Sequence, residues 1–384
     1  MANTLETKTP EQLSGALRSY NDYLCDVPNG FDVLEEYLGE VERHEFCRAF
    51  KALRDIVADI YDCLRDSPQE IGLVKINKKT GEAAVQTSQH ISCVKKLLYA
   101  IGRFSELESD SLNIRMDSLM NAYMTYYPNS SVELASSINV FDADRRNKFF
   151  ESKHIRPVFR ILERFGFAVD GAGDEAYEDA ATLKIRYPQL PSVINAMKSF
   201  ALPEICRASF GFDYAKFNYR VFAHPKAAKL PLADLYSFQL LPDGHKRFLA
   251  RLNQVMEEET GADYGECESG WYNGTLPCQY IYQNKLRVLQ NIENGCMPAI
   301  VITSGMKTEK ILQKTGKYIE YFKSLPDGCR SAVRCRGCKK GDCEGRIAIA
   351  ADDRKHAMCV GKGAWWVFPP KEEYIPLIVK AYKL

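Results

Sequence analysis

The sequence has no long apolar run and almost no net charge, and each absence excludes a class of protein. No uncharged apolar stretch approaches the roughly 20 residues that a membrane-spanning helix needs. The first residues, MANTLETKTPEQLSG, lack the basic and apolar regions of a secretory signal. A formal net charge of +1 creates no overall field that would attract nucleic acid or an anionic membrane. We therefore expect a soluble, cytoplasmic protein without a membrane partner, in which any binding of nucleic acid is local.

Known catalytic motifs are also missing. The chain has no P-loop, G-x-G-x-x-G, G-x-S-x-G or H-E-x-x-H pattern, and its six histidines are scattered. A deaminase-type zinc site needs His-x-Glu ahead of Pro-Cys-x-x-Cys, whereas Arg334 precedes the Cys-x-x-Cys pair here. We predict no catalytic residue and favour a binding protein over an enzyme.

Length and composition indicate a folded protein of several domains. The chain has 384 residues, of which 46% are hydrophobic and 26% charged, as in ordinary globular proteins. We predict an α+β protein with four parts: a helical N-terminal domain with a first helix-strand unit (1–145), a second helix-strand unit (146–232), an α+β sheet domain (233–324) and a cysteine-rich zinc module with a terminal helix (325–384).

An amphipathic helix is the clearest local pattern in the N-terminal half. Seven apolar residues recur at steps of three and four, the spacing of one helix face. They are Phe46, Phe50, Leu53, Ile56, Val57, Ile60 and Leu64. We expect this face to be buried within a helical region that covers residues 10–68.

A short pattern occurs twice between residues 97 and 190. In each copy a helix ends in an apolar residue and a glycine, Gly102 or Gly166, and a polar loop and a strand follow. The shared Leu-x-Ile-Arg-x-x-x-Leu pattern is Leu112, Ile114, Arg115 and Leu119 in the first copy and Leu183, Ile185, Arg186 and Leu190 in the second. Glycine at a helix end is typical of a left-handed C-cap, and Leu-x-Ile alternation is typical of a half-buried strand. The sequence predicts two helix-turn-strand units.

These units fit two interpretations. Each is compatible with part of a winged helix, whose helix enters the DNA major groove, and with a small α+β packing module. Basic residues lie on or near the two helices: Lys95, Lys96, Arg103, Arg156 and Arg160. Exposed basic residues most often form a solvated face, and the acidic loop DGAGDEAYEDA would repel phosphates. We favour packing and keep nucleic-acid binding as the alternative.

The aromatic run FGFDYAKFNY, residues 210–219, poses a similar choice. Aromatic side chains between basic residues can stack on bases, but they more often bury their large area in a core. We favour the core.

Beyond this run, the pattern favours an antiparallel sheet with helices. Strands are predicted over Trp271–Ile281, Leu286–Ile292 and Met297–Ile302, and a further helix over Thr308–Phe322. The preceding helix has one apolar face, formed by Phe248, Leu249, Leu252 and Met256.

The strongest motif is a cysteine cluster with the spacing C-x5-C-x2-C-x4-C-x15-C. Two residues between Cys335 and Cys338 allow both thiolates to reach one tetrahedral ion, and a second pair normally completes such a site. Strands are predicted over Arg346–Ala350 and Val360–Phe368, with a turn between them that returns Cys359 beside Cys343. We predict a structural zinc ion, held by Cys335, Cys338, Cys343 and Cys359, with Cys329 or His356 as a substitute for any one of them.

Two alternatives to zinc stay open. An iron-sulfur cluster is less favoured, because the bacterial C-x2-C-x2-C-x3-C run is missing. Metal-free thiols, structural or redox-active, are the other alternative. The cluster also contains candidate phosphate-binding residues, which are Arg334, Arg336, Lys339 and Lys340.

The C-terminal third resembles the ends of an uncharacterised bacterial protein family that is typical of Clostridia-like Firmicutes. The similarity rests on the four predicted cysteine ligands, on Trp365 to Phe368 and on a closing helix with Ile375, Ile378, Val379 and Tyr382 on one face. No activity is known for that family, so the resemblance implies only the layout and metal binding. Pro376 departs from the family pattern and predicts a distorted start of the helix.

These observations favour a non-enzymatic binding or regulatory protein whose zinc is architectural. One alternative is a nucleic-acid-binding regulator that uses the winged-helix-like units and the basic cysteine module. The other is an enzyme or redox protein that uses Cys329 or an open zinc position.

Overall fold

The computed structural model describes residues 24–67, 74–76, 83–85, 87–119, 155–170, 181–203, 206, 212–262, 264–268, 277–282, 286–291, 299–302, 315–326, 346–351, 354–359, 364–367 and 370–383. The chain forms two compact units, Met1–Tyr236 and Ser237–Leu384. Both contain helices and antiparallel strands, so the protein is α+β. The finer division into four domains stays a prediction. Among the described residues, no helix combines the length and the apolar composition that a membrane span requires.

Helices and short strands alternate in the first unit. Its elements are α1 (Glu35–Leu38), α2 (Arg43–Asp66), β1 (Val74–Ile76), β2 (Ala83–Val85), α3 (Thr87–Phe104), β3 (Glu106–Glu108), β4 (Ser111–Arg115), α4 (Ile155–Arg164), β5 (Ala168–Asp170), β6 (Thr182–Arg186), α5 (Ser192–Phe200), α6 (Phe212–Ala215) and two 3-10 turns, Tyr219–Ala223 and Leu232–Asp234.

An aromatic cluster forms the centre of the first unit. All seven residues of the predicted helix face are buried in α2, which confirms the buried face. The predicted helical region, residues 10–68, is wrong for residues 24–34, which form no helix. The Phe50 ring lies edge-on to Phe200 and Phe222, with centroids 4.8 and 4.9 Å away. Tyr214 and Phe217 stack on Phe200 at 4.6 and 5.2 Å. The core interpretation of the aromatic run is therefore confirmed for these two residues.

The two copies of the repeated pattern meet in one four-stranded antiparallel sheet, in the order β3-β4-β6-β5. Each copy is a helix followed by a hairpin, α3 with β3 and β4, and α4 with β5 and β6. Leu112 pairs with Ile185 and Ile114 with Leu183, and all four side chains are fully buried. The Leu-x-Ile strands are thus confirmed, and they form the middle of the sheet.

The two glycines of the repeat have different roles. Gly166 has φ +93°, and the amides of Gly166 and Phe167 donate to the carbonyls of Glu163 and Leu162, as in a Schellman C-cap. The same prediction is wrong for Gly102, which lies inside α3. A Cβ atom there would approach the Met197 carbonyl oxygen of α5 to 2.6 Å. Gly102 therefore allows α3 and α5 to pack closely.

The second unit contains a larger sheet and several helices. Its elements are α7 (Tyr236–Gln239), which begins at the last residue of the first unit, α8 (Asp243–Thr260), β7 (Tyr264–Glu268), β8 (Pro277–Tyr282), β9 (Leu286–Asn291), β10 (Ala299–Ile302), α9 (Thr315–Ser324), β11 (Arg346–Ala351), β12 (Arg354–Cys359), β13 (Ala364–Val367), a 3-10 turn (Glu372–Tyr374) and α10 (Ile375–Lys383). The five-stranded sheet is antiparallel, in the order β13-β10-β9-β8-β7, and β11 and β12 form a separate hairpin.

Packing among α8, α9 and α10 gives this unit a helical layer. The predicted apolar faces of α8 and α10 are buried. The Tyr321 hydroxyl of α9 donates to the Leu377 carbonyl oxygen at 2.7 Å, and Lys383 pairs with Glu259 at 2.8 Å. Pro376 lies in the first turn of α10, where a missing amide costs no helix hydrogen bond. The turn before it is 3-10, and α10 itself begins at Ile375.

Candidate metal centre

Most predicted zinc ligands lie outside the part of the chain that the structure describes. These are Cys335, Cys338 and Cys343, together with the substitute Cys329. Cys359 and the other substitute, His356, lie on β12. The zinc ligand set thus stays a prediction. Of its four members, only Cys359 lies within the described residues.

The β11-β12 hairpin positions Cys359 at the open end of its ladder. The ladder runs from Ala351 opposite Arg354 to Arg346 opposite Cys359. Asp352 and Asp353, where the turn is predicted, connect the two strands at the other end. Only Glu344 and Gly345 separate Cys343 from Arg346 in the chain. The chain therefore enters the hairpin from Cys343 at the end where Cys359 leaves it.

The position of His356 along the same strand differs. His356 pairs with Ile349 and lies three residues before Cys359. With a rise of about 3.3 Å per strand residue, its Cα atom is about 10 Å from that of Cys359. The two residues therefore do not occupy equivalent places relative to the open end of the ladder.

One strand of the predicted hairpin is wrong. The sequence places it at Val360–Phe368, whereas the partner of β11 is Arg354–Cys359. The tryptophan-containing strand β13 instead pairs with β10, with Trp366 opposite Ile300 and Trp365 opposite Val301. Residues 303–363, with the cysteine cluster, therefore connect two neighbouring strands of the larger sheet.

The candidate phosphate-binding residues Arg334, Arg336, Lys339 and Lys340 also lie outside the described residues. Their role stays a prediction.

In the first unit, one of the cations on the predicted DNA-reading helices stabilises a helix end. Arg103 of α3 donates to the Leu202 carbonyl oxygen just after α5, at 2.5 Å. Lys198 of α5 donates to the Ser105 carbonyl oxygen just after α3, at 2.6 Å. Burial lowers the pKa of Lys198, and the neighbouring Arg103 charge acts in the same direction. Cations at helix C-termini are stabilising. This reciprocal capping accounts for Arg103 without a nucleic-acid partner.

The first hairpin presents negative charge at its edge. Glu106 and Glu108 on the edge strand β3, and Asp110 in the following turn, are all exposed. In a winged helix this hairpin would be the wing that approaches the phosphate backbone, where carboxylates are repelled. The charge of this edge therefore counts against the winged-helix interpretation.

Three thiols of the first unit are shielded from solvent. Cys25, Cys47 and Cys206 are buried. Burial raises the pKa of the Cys25 thiol, and Arg220, with its Nη1 atom 3.9 Å from the sulfur, opposes only part of this effect. A thiol that stays protonated is a weak nucleophile and a weak metal ligand.

A buried polar cluster in this unit was not predicted. Asn218 donates through Nδ2 to the Asp213 carboxylate at 2.6 Å and to the Asp234 carbonyl oxygen at 2.7 Å. The Tyr236 amide donates to the same carboxylate oxygen, Oδ1, at 2.9 Å. Phe217, next to Asn218, has φ +58° in the left-handed region. The cluster therefore holds a strained turn against the 3-10 turn Leu232–Asp234. The sequence feature that could have indicated this cluster is the presence of Asp213 and Asn218 within the aromatic run, because such short polar side chains readily form hydrogen bonds to nearby backbone.

Among the residues that the structure describes, no three His, Cys, Asp or Glu side chains lie close enough to hold a metal ion. No family model matches the chain, and neither the curated proteins nor the solved structures contain a match.

Proposed function

We propose that this chain is a non-enzymatic binding or regulatory protein in which Cys335, Cys338, Cys343 and Cys359 hold a structural zinc ion. The observation that carries the proposal is the register of the β11-β12 ladder. The ladder ends with Arg346 opposite Cys359. The predicted ligand Cys359 therefore lies across from the residue at which the chain enters the hairpin, three residues after the predicted ligand Cys343.

The local sequence gives a physical reason for a metal. Between Cys329 and Gly345, Val333 is the only large apolar residue besides the cysteines. A segment with so little apolar area gains little from burial, whereas four thiolates on zinc stabilise small modules directly. With four sulfur ligands the ion has no open position for water, which makes its role architectural.

Two observations on the described residues support a binding role without catalysis. The buried thiols of the first unit are shielded, and the scattered histidines of the sequence supply no base in a motif that would activate one. Of the basic residues that suggested a DNA-reading helix, Arg103 caps a helix. The winged-helix and enzyme interpretations therefore have less support than a packed scaffold that carries a metal-stabilised binding segment.

Elemental analysis of the purified full-length chain tests the proposal. We expect one zinc ion per chain, and a loss of at least about tenfold in zinc affinity for Cys359→Ser and Cys338→Ser. Cys63→Ser, a half-buried cysteine of α2, and His356→Ala are the matched controls and should keep full zinc occupancy. Iron in place of zinc, or full zinc in Cys359→Ser, would contradict the proposal.

A further inference from the structure

The ladder between β4 and β6 has an internal twofold symmetry that relates the two copies of the repeat. Aligning the two copies of the repeat makes Ser111 to Arg115 equivalent to Thr182 to Arg186. The five pairs of the ladder are Ser111 with Arg186, Leu112 with Ile185, Asn113 with Lys184, Ile114 with Leu183, and Arg115 with Thr182. Exchanging the two copies maps each of these pairs onto another pair of the same ladder, with Asn113 and Lys184 at the centre. Such a self-complementary contact is the kind that relates two identical subunits by a twofold axis.

The apolar side of this ladder is an essential part of the core. Leu112, Ile114, Leu183 and Ile185 are fully buried, so β4 without β6 would expose its apolar face. The helices follow the same division, because Gly102 of α3 approaches Met197 of α5. Contacts across the division between residues 24–119 and residues 155–236 thus include both the sheet and the helix pair.

The connection between the two halves is long. Residues 120–154 separate Leu119 from Ile155, and an extended chain of that length reaches roughly 115 Å. A link of this length permits either half to pair with its own chain or with another chain without strain in the ladder.

We propose that the first unit associates with a second copy of this chain by exchange, with β4 of each copy paired to β6 of the other. The exchanged dimer forms the same ladder and the same helix contacts twice. Its population relative to the monomer is therefore set by the chain concentration against the effective concentration of one half near the other within the same chain, a quantity that falls as the connection lengthens. The exchange does not depend on the proposed metal.

Cysteines at the central pair distinguish exchange from every other association. Opposite residues of an antiparallel pair have Cα atoms about 4.5–5.5 Å apart, within the range that a disulfide spans. One full-length variant carries Asn113→Cys and another carries Lys184→Cys. In a closed monomer of either variant the new cysteine faces a natural residue, so only an exchanged mixed dimer brings positions 113 and 184 of different chains together.

The two variants are unfolded together, refolded at about 1 mM total chain, oxidised and mapped by mass spectrometry of cross-linked peptides. We expect an interchain 113–184 link, which falls at least tenfold in yield when refolding is done at about 10 μM. Mixing the two folded variants without unfolding should give none. The double variant, Asn113→Cys with Lys184→Cys, should form the link within one chain at 10 μM and so reports that the ladder has formed.

Two outcomes would overturn the proposal. One is the absence of the interchain 113–184 link at 1 mM while the double variant forms its internal link. The other is a link between two copies of position 113 in its place, which would mean that β4 pairs with β4. Failure of the double variant to form its internal link would contradict the ladder itself.

Discussion

The first unit and the cysteine-rich segment differ in what can stabilise them. In the first unit, large aromatic side chains such as Phe46, Phe50 and Phe200 have almost no exposed surface. The segment from Cys329 to Gly345 contains four cysteines and three glycines but only one valine as a large apolar residue. Burial of apolar area stabilises the first region. The second region has almost no apolar side chains to bury. The two regions should therefore respond to different perturbations.

Removal of metal is the perturbation with the largest expected effect. Structural zinc contributes on the order of 10 kcal/mol or more to small metal modules, because the ordered site is absent without the ion. We expect a strong chelator to abolish hydrogen-exchange protection in the β11-β12 hairpin and to leave the α2 amides unchanged. Loss of protection in α2 after chelation would show that the two regions are not independent.

Truncation of the aromatic core should have the converse effect. Phe50→Ala removes a fully buried ring that lies between Phe200 and Phe222, and we expect it to lower the free energy of unfolding of the first unit by about 3–5 kcal/mol. Zinc content should not change. The matched control is Phe104→Ala, since that ring is 40% exposed and its truncation should cost less than about 1 kcal/mol. Equal costs for the two variants, measured by urea denaturation, would contradict this account of the core.

A smaller effect is expected where α3 meets α5. Gly102→Ala places a methyl group against the Met197 carbonyl oxygen, and overpacking of this kind costs about 1–3 kcal/mol. Gly244→Ala in α8 is the control, because its added methyl group meets nothing within 4 Å and should stabilise the helix by up to about 1 kcal/mol. Denaturation curves of both variants give the signs. Stabilisation by Gly102→Ala would mean that α3 and α5 are not in close contact.

The smallest expected effect is a pH dependence of the first unit. Hydrogen bonds from Arg48 and then from Ser192 lower the pKa of Glu45. A carboxyl whose pKa is lowered by folding stabilises the fold fully above its ordinary pKa of about 4.3 and loses that effect as the pH falls through the lowered pKa of the folded state. Because the group is partly solvated, we expect no more than about 1 kcal/mol. Glu45→Gln should therefore show a shallower loss of stability between pH 7 and pH 3, and an unchanged slope would contradict the assignment.

The parts of the fold that sequence patterns predicted are those with strong local periodicity. The apolar face of α2 and the Leu-x-Ile strands were predicted because three- and four-residue steps and strict alternation each identify one buried face. The role of Gly102 was not, because a glycine required by a neighbouring helix looks the same in sequence as a glycine that ends a helix. β12, with the sequence RKHAMC, has no apolar alternation, and the strand was therefore predicted in the more apolar Val360–Phe368. For the candidate site, the spacing of the cysteines indicated the ligands, and only the ladder added where Cys359 lies relative to Arg346.

X-ray absorption at the zinc edge of the purified, reduced protein would show whether four thiolates surround one ion. We expect one zinc ion per chain with four sulfur neighbours at about 2.3 Å. A first shell that contains nitrogen or oxygen, or a protein that contains no zinc, would contradict the claim that four thiolates of this segment converge on one ion.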